Sequence, residues 1–249
     1  MRTVRQEVMP KADAVKADVV KKVASSELTY TELGPMSVND YLSTPESKDY
    51  EELHYGWLMR EGCPATAHQA VAGDIYRALW SYVVERRLGF VVQHVDVILD
   101  KERRLVVGPD LVVVLNERSN ILREQVWGAP NLTVEVLSPT NRGRDRVRKL
   151  AWYREYGVHE YWIADPAQFT IEVFDLEAEP TAGPRVYGEA DVLESRAIEG
   201  FRHPVARFFE YAYDYFREAQ TGCCLTDRPM PSTPDANADG PVRYDTDPA

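Results

Sequence analysis

Long apolar runs are missing from this 249-residue chain. None approaches the roughly 18 residues that a membrane-spanning helix requires. Residues 1–22 mix charges with short aliphatics, where a secretory signal would carry an apolar core. The expected location is therefore cytoplasmic, with no membrane partner. Cysteine is scarce as well: Cys63 stands alone, and Cys223 and Cys224 are neighbours. An odd count without C-x-x-C spacing points away from a disulfide framework and from a structural zinc site.

Positive charge is also short. Twenty-nine Lys and Arg face 40 Asp and Glu, for a net charge of −11 and a pI near 5.0. Such a balance is poor for neutralising phosphates over the whole surface. Local fields differ from the net value, however. Asp227, Asp235, Asp239, Asp245 and Asp247 concentrate acidity at the C-terminal end, while Arg142, Arg144, Arg146, Arg148 and Lys149 form a basic cluster. Three catalytic signatures are absent: the G-x-S-x-G elbow, the phosphate-binding G-x-x-x-x-G-K-[ST] loop and the H-E-x-x-H zinc motif.

What is present is an ordinary globular composition, 44% hydrophobic and 28% charged. Residues 1–35 are weakly patterned, with at most a loose helix over 12–24. Residues 223–249 are rich in Pro, Asp, Ser and Gly and read as a disordered acidic tail. A single domain over 36–222 is expected. Within it, Ser37 should cap a short helix. An extended piece falls around residues 57–59. Apolar residues at helical spacing predict a helix over 67–87. Strands are expected over 90–99, 105–107, 110–115 and 131–137. A helix over 145–156, closed by Gly157, leads to a strand over 159–164 and its hairpin partner over 169–176. Further strand is expected over 185–187 and 192–198, and a final helix over 208–219. The strand-helix-strand unit should cross over right-handed and set two strands parallel. The fold class is α+β, a mixed sheet with one helix on each face.

Two carboxylates occupy improbable places. Asp110 opens an apolar strand directly after Gly108-Pro109, either as turn chemistry or as a ligand. Glu135 interrupts Leu132-Thr133-Val134-Glu135-Val136-Leu137. Buried without a partner, that group would cost several kcal/mol, so it must be paired, metal-bound or on an exposed face. On neighbouring strands the two acids together suit a hard cation such as Mg²⁺ or Mn²⁺.

Pro109-Asp110, Glu135-Val136-Leu137-Ser138-Pro139, Asp145, Lys149, Tyr153, Gly157-Val158, Tyr161-Trp162 and Asp165-Pro166 together resemble the Uma2 family. Glu52, Gly56 and His68 extend the resemblance upstream, and it covers about residues 37–176. That family belongs to the PD-(D/E)XK nuclease superfamily, so the resemblance implies a restriction-endonuclease-like fold. It implies Asp110 and Glu135 as metal ligands, joined by the backbone carbonyl of Val136. The superfamily lysine belongs two residues after the Glu, where this chain has Leu137. A known variation moves the lysine to the following helix, which makes Lys149 the candidate. Its alternative is a surface pair with Asp145. Glu52 is expected to support a second metal or position water, or else to be exposed beside Glu51. His68 is expected to reach the site or a phosphate, or simply to be solvated. Trp152 and Tyr161-Trp162 read as core, and Asp165-Pro166 as a strand-ending turn.

The implied activity is a Mg²⁺-dependent DNA endonuclease, with Arg142, Arg144, Arg146 and Arg148 meeting the nucleic-acid backbone. The alternatives are a nucleic-acid-binding or regulatory protein without turnover, and a dimeric interaction protein. A homodimer is the expected assembly.

Overall fold

A computed structural model describes residues 29–30, 35–45, 49–61, 64–138, 144–179 and 181–210. The expected helix over 12–24, the acidic tail, all three cysteines, Arg142 and most of the expected final helix lie outside these residues.

The first described elements are β1 (Thr29–Tyr30) and α1 (Val38–Leu42), whose Ser37 cap forms a reciprocal capping box with Asp40. A hairpin of β2 (Tyr50–His54) and β3 (Trp57–Glu61) precedes the long helix α2 (Thr66–Val83). Then come β4 (Gly89–Gln93), β5 (Val97–Asp100), β6 (Leu105–Val107), β7 (Leu111–Leu115) and β8 (Val126–Trp127). The crossover unit is β9 (Leu132–Val136), α3 (Arg144–Tyr156) and β10 (Glu160–Asp165). It is followed by β11 (Thr170–Asp175), β12 (Arg185–Tyr187), β13 (Val192–Glu194) and β14 (Arg202–Pro204). Val205–Phe208 is a 3-10 turn that ends where the helix expected over 208–219 would start.

The main sheet has the order β12-β11-β10-β9-β7-β4. As expected, β9 and β10 are parallel and their neighbours antiparallel. Strands β7, β9 and β10 read as nearly continuous apolar runs because both faces are covered. On one face Leu111, Val113, Leu132, Val134, Trp162 and Ala164 pack with Val71, Ile75 and Leu79 of α2. On the other, Val112, Val114, Tyr161 and Ile163 pack with Trp152 and Tyr153 of α3.

A second six-stranded sheet, β1-β3-β2-β6-β5-β8, corrects the single-sheet expectation. The apolar stretch over 90–99 is two strands in different sheets, separated at His94, whose φ is +48°. Residues 105–107 and 110–115 likewise divide between the sheets at Gly108-Pro109. Hydrophobic patterning shows that a segment is buried, and here it does not distinguish one covered sheet from the other. Leu53, Leu58 and Val106 face α1, while Val97, Leu105 and Val107 join the core around Trp152 and Tyr153. Helix α3 therefore lies between the two sheets and contributes to a core that both share.

Candidate metal and catalytic site

Strand register brings the two carboxylates together. Leu111 pairs with Val134 across the antiparallel β7–β9 ladder. Asp110 and Glu135 are one step further on, on adjacent strands. Asp110 Oδ2 accepts the Val136 N–H at 2.7 Å, and His68 Nε2 stands 3.1 Å from the same oxygen. His68 thus reaches the site from the first turn of α2.

The position of Val136 follows from the ladder. Leu137 gives its N–H to Ala164 of β10, so Val136 turns its own N–H and carbonyl toward β7. One step along the register, the residue opposite is Pro109, which has no N–H to offer that carbonyl. Proline at this point leaves the Val136 oxygen without its usual ladder donor, beside the Asp110 carboxylate.

Glu135 points toward α3, because residues on a strand alternate faces and Val134 and Val136 belong to the α2 side. Its Oε1 accepts hydrogen bonds from Lys149 Nζ at 2.9 Å and Tyr153 Oη at 3.0 Å. Lys149 and Tyr153, four residues apart, share a helical face. The alternative of Lys149 as a surface partner of Asp145 is set aside: it is buried, with Nζ also 2.9 Å from Glu52 Oε1. Leu137, in the place of the superfamily lysine, packs against the apolar core around Trp152.

Glu52 stands in the second sheet and is buried, which excludes the exposed alternative. Besides Lys149, it accepts the Gly108 N–H at 2.8 Å, and its Oε2 lies 2.6 Å from His54 Nε2. His54 was not singled out from sequence. The β2 alternation carried a signal for it: with Leu53 toward α1, both Glu52 and His54 must face α3.

The charges are unevenly distributed. Burial pushes the Glu52 carboxyl up, but Lys149, His54 and the Gly108 N–H together outweigh it and hold it well below the usual range. Burial pushes Glu135 well above that range despite Lys149, with Asp110 and Glu52 adding to the rise. Tyr153 is raised by burial and by Glu135, so it remains a phenol that donates. Lys149 is therefore shared between Glu52 and Glu135, and at Glu135 burial outweighs its charge.

The donor set fits a hard divalent ion. Two carboxylates and a main-chain carbonyl supply only oxygen, the ligand type that hard cations take. Among the described residues, no group of three or more His, Cys, Asp and Glu is arranged to hold a metal. An ion here would therefore depend on this two-carboxylate arrangement and complete its shell with water, as Mg²⁺ commonly does.

A family model matches residues 38–206, and its description is "Uma2: Putative restriction endonuclease". The chain belongs to the Uma2 family. A crystal structure described as a putative nuclease belonging to DUF820, from Anabaena variabilis, shares its fold. The TM-score is 0.61 at 17% identity, covering 72% of this chain and 99% of that one. The type IIG restriction endonuclease BpuSI gives a TM-score of 0.32 at 16% identity, over 63% of this chain and 17% of that one. A search of curated proteins found no match. The Uma2 chain thus has a nuclease-type fold, with Asp110, Glu135, Lys149, Glu52 and His68 in one cluster.

The remaining site expectations are mixed. Of the basic cluster, Arg148 lies over the Trp152 ring, 5.9 Å from its centroid, and Lys149 belongs to the buried site. Asp165 accepts the N–H groups of Ala167 and Gln168, as a turn residue does. Among the described residues, no helix is long and apolar enough to cross a membrane.

Proposed function

We propose that this protein hydrolyses phosphodiester bonds of nucleic acid with the help of a divalent cation, DNA being the expected substrate. The observation that carries this reading is Lys149 Nζ, buried and 2.9 Å from both Glu52 Oε1 and Glu135 Oε1. A lysine so held is a fixed positive charge in a low-dielectric site, where it acts more strongly on developing negative charge than it would in water.

Asp110 and Glu135, with the Val136 carbonyl, would hold the ion. When bound, the ion would supply Lewis acidity toward a phosphoryl oxygen and a bound water of lowered pKa. His68 orients Asp110, and Tyr153 and Lys149 orient Glu135, so neither carboxylate is free to swing. Glu52 fixes Lys149 from the opposite sheet. In this reading the lysine would bind a phosphate oxygen and oppose the negative charge that builds on the phosphoryl oxygens. Leu137 leaves the usual lysine position apolar, and Lys149 takes over that charge from the helix.

The test is cleavage of supercoiled plasmid by purified protein in Mg²⁺ or Mn²⁺. Wild-type protein is expected to nick or linearise it, and Asp110→Asn, Glu135→Gln and Lys149→Met to leave it intact. Cleavage unaffected by all three substitutions would remove the activity from this site.

A further inference from the structure

Tyr55 occupies a backbone position that aromatic residues rarely take. It is the first of the two turn residues joining β2 to β3, with φ +54°, and Gly56 follows at φ +92°. Turns with both angles positive select Asn, Asp and Gly, and a bulky side chain there is strained. An observed outlier of this kind is grounds for a hypothesis of function. The residue is not buried in the core: Tyr55 is 37% exposed.

The surroundings of this ring are aromatic and cationic. The Trp152 ring meets it edge-on with centroids 5.8 Å apart, and the Arg103 guanidinium lies 5.3 Å from its centroid. Trp152 also meets His54 at 4.7 Å, and the Arg148 guanidinium lies over the same Trp152 ring, 5.9 Å from its centroid. A continuous line therefore runs from Glu52 through His54 and Trp152 to Tyr55. Aromatic faces interleaved with guanidinium groups are what a nucleic-acid strand needs, the cations following the backbone and the rings stacking on bases.

We propose that Tyr55 is a stacking platform for an unpaired base of the strand whose phosphate enters the Lys149 site. This inference rests on the nuclease reading above and names its substrate class: single-stranded or locally unpaired nucleic acid. A paired duplex keeps its base faces inside the stack and presents none to Tyr55.

The experiment uses the full chain in Ca²⁺ with a short single-stranded oligodeoxynucleotide carrying 2-aminopurine, and with the same sequence as a duplex. Tyr55→Asn keeps the left-handed turn and removes the ring, and Tyr55→Phe keeps the ring. Wild type and Tyr55→Phe are expected to bind the single strand more tightly than the duplex and to quench its fluorescence. Tyr55→Asn should lose the quench and bind the single strand about tenfold or more weakly. Its duplex affinity and melting temperature should not fall. Single-strand affinity and quench unchanged in Tyr55→Asn would overturn the proposal while leaving the nuclease reading intact. Failure of wild type to bind either oligonucleotide at low salt would overturn both.

Discussion

Asp110 Oδ2 accepts the backbone N–H of Val136 at 2.7 Å, so the first carboxylate is tied to the main chain one residue beyond the second. That bond orients Asp110 before any ion arrives. Mg²⁺ should therefore stabilise the fold by mass action, by about 2.7 kcal/mol at a hundredfold excess over its Kd. Thermal melting with and without Mg²⁺ measures this. Asp110→Asn and Glu135→Gln are expected to abolish the shift, and a shift unchanged in both variants would place the ion elsewhere.

Lys149→Met should be destabilising as well as inactive. It leaves the buried carboxylates of Glu52 and Glu135 without their shared cation, a loss of about 3–5 kcal/mol for a broken buried pair. Urea unfolding in EDTA should register the loss, and the double variant Lys149→Met/Glu52→Gln should recover part of it. Cleavage by Lys149→Met should fall by about 10²–10³-fold, as for removal of a preorganised electrostatic group. A variant as stable as wild type would show that Lys149 is not the counter-charge for these acids.

Gly89→Ala is expected to disrupt the edge of the main sheet. A Cβ at Gly89 would stand 2.3 Å from the Val114 carbonyl oxygen and 2.6 Å from the Leu115 Cα, and backbone cannot step aside as a flexible side chain can. The cost should be about 1–3 kcal/mol or more. Chemical denaturation reads it directly, and a change below half of that lower bound would contradict the close approach of β4 to β7.

His203 supplies a pH dependence remote from the site. Burial first, then the Arg207 and Arg77 charges, lower its pKa below the ordinary 6.5. Its ring lies against Phe208, with centroids 4.6 Å apart. Between the lowered folded value and 6.5 the unfolded chain binds more protons, so stability rises with pH across that window and is lost as pH falls through it. In His203→Phe the drop in melting temperature from pH 7.5 to below 6 should be smaller than in wild type. An identical drop would assign the acid sensitivity to other groups.

Much of the site was legible in the sequence because strand periodicity and the crossover rule act locally. Glu135 in an apolar run and Asp110 after Pro109 stood out, and the parallel β9–α3–β10 unit followed from its pattern. Glu52 was harder, because adjacent acids at 51 and 52 also suit a solvated strand. Its role depends on a second sheet reached through the breaks at His94 and Gly108-Pro109. His94 adopts a left-handed conformation and gives its N–H to the Asp110 carbonyl at 3.2 Å. No hydrophobic period encodes that turn. Lys149 needed both sheets to be in place before its two acceptors could be recognised.

Placement of Lys149 between acids from two different sheets has a consequence for biosynthesis. Glu52 is made early, Asp110 and Glu135 follow, and the lysine that joins them comes last. A nascent or partly opened chain therefore holds the acids without the cation that organises them. On the proposed reading, hydrolytic power would appear only once both sheets have closed on α3, after the last of these four residues has been made.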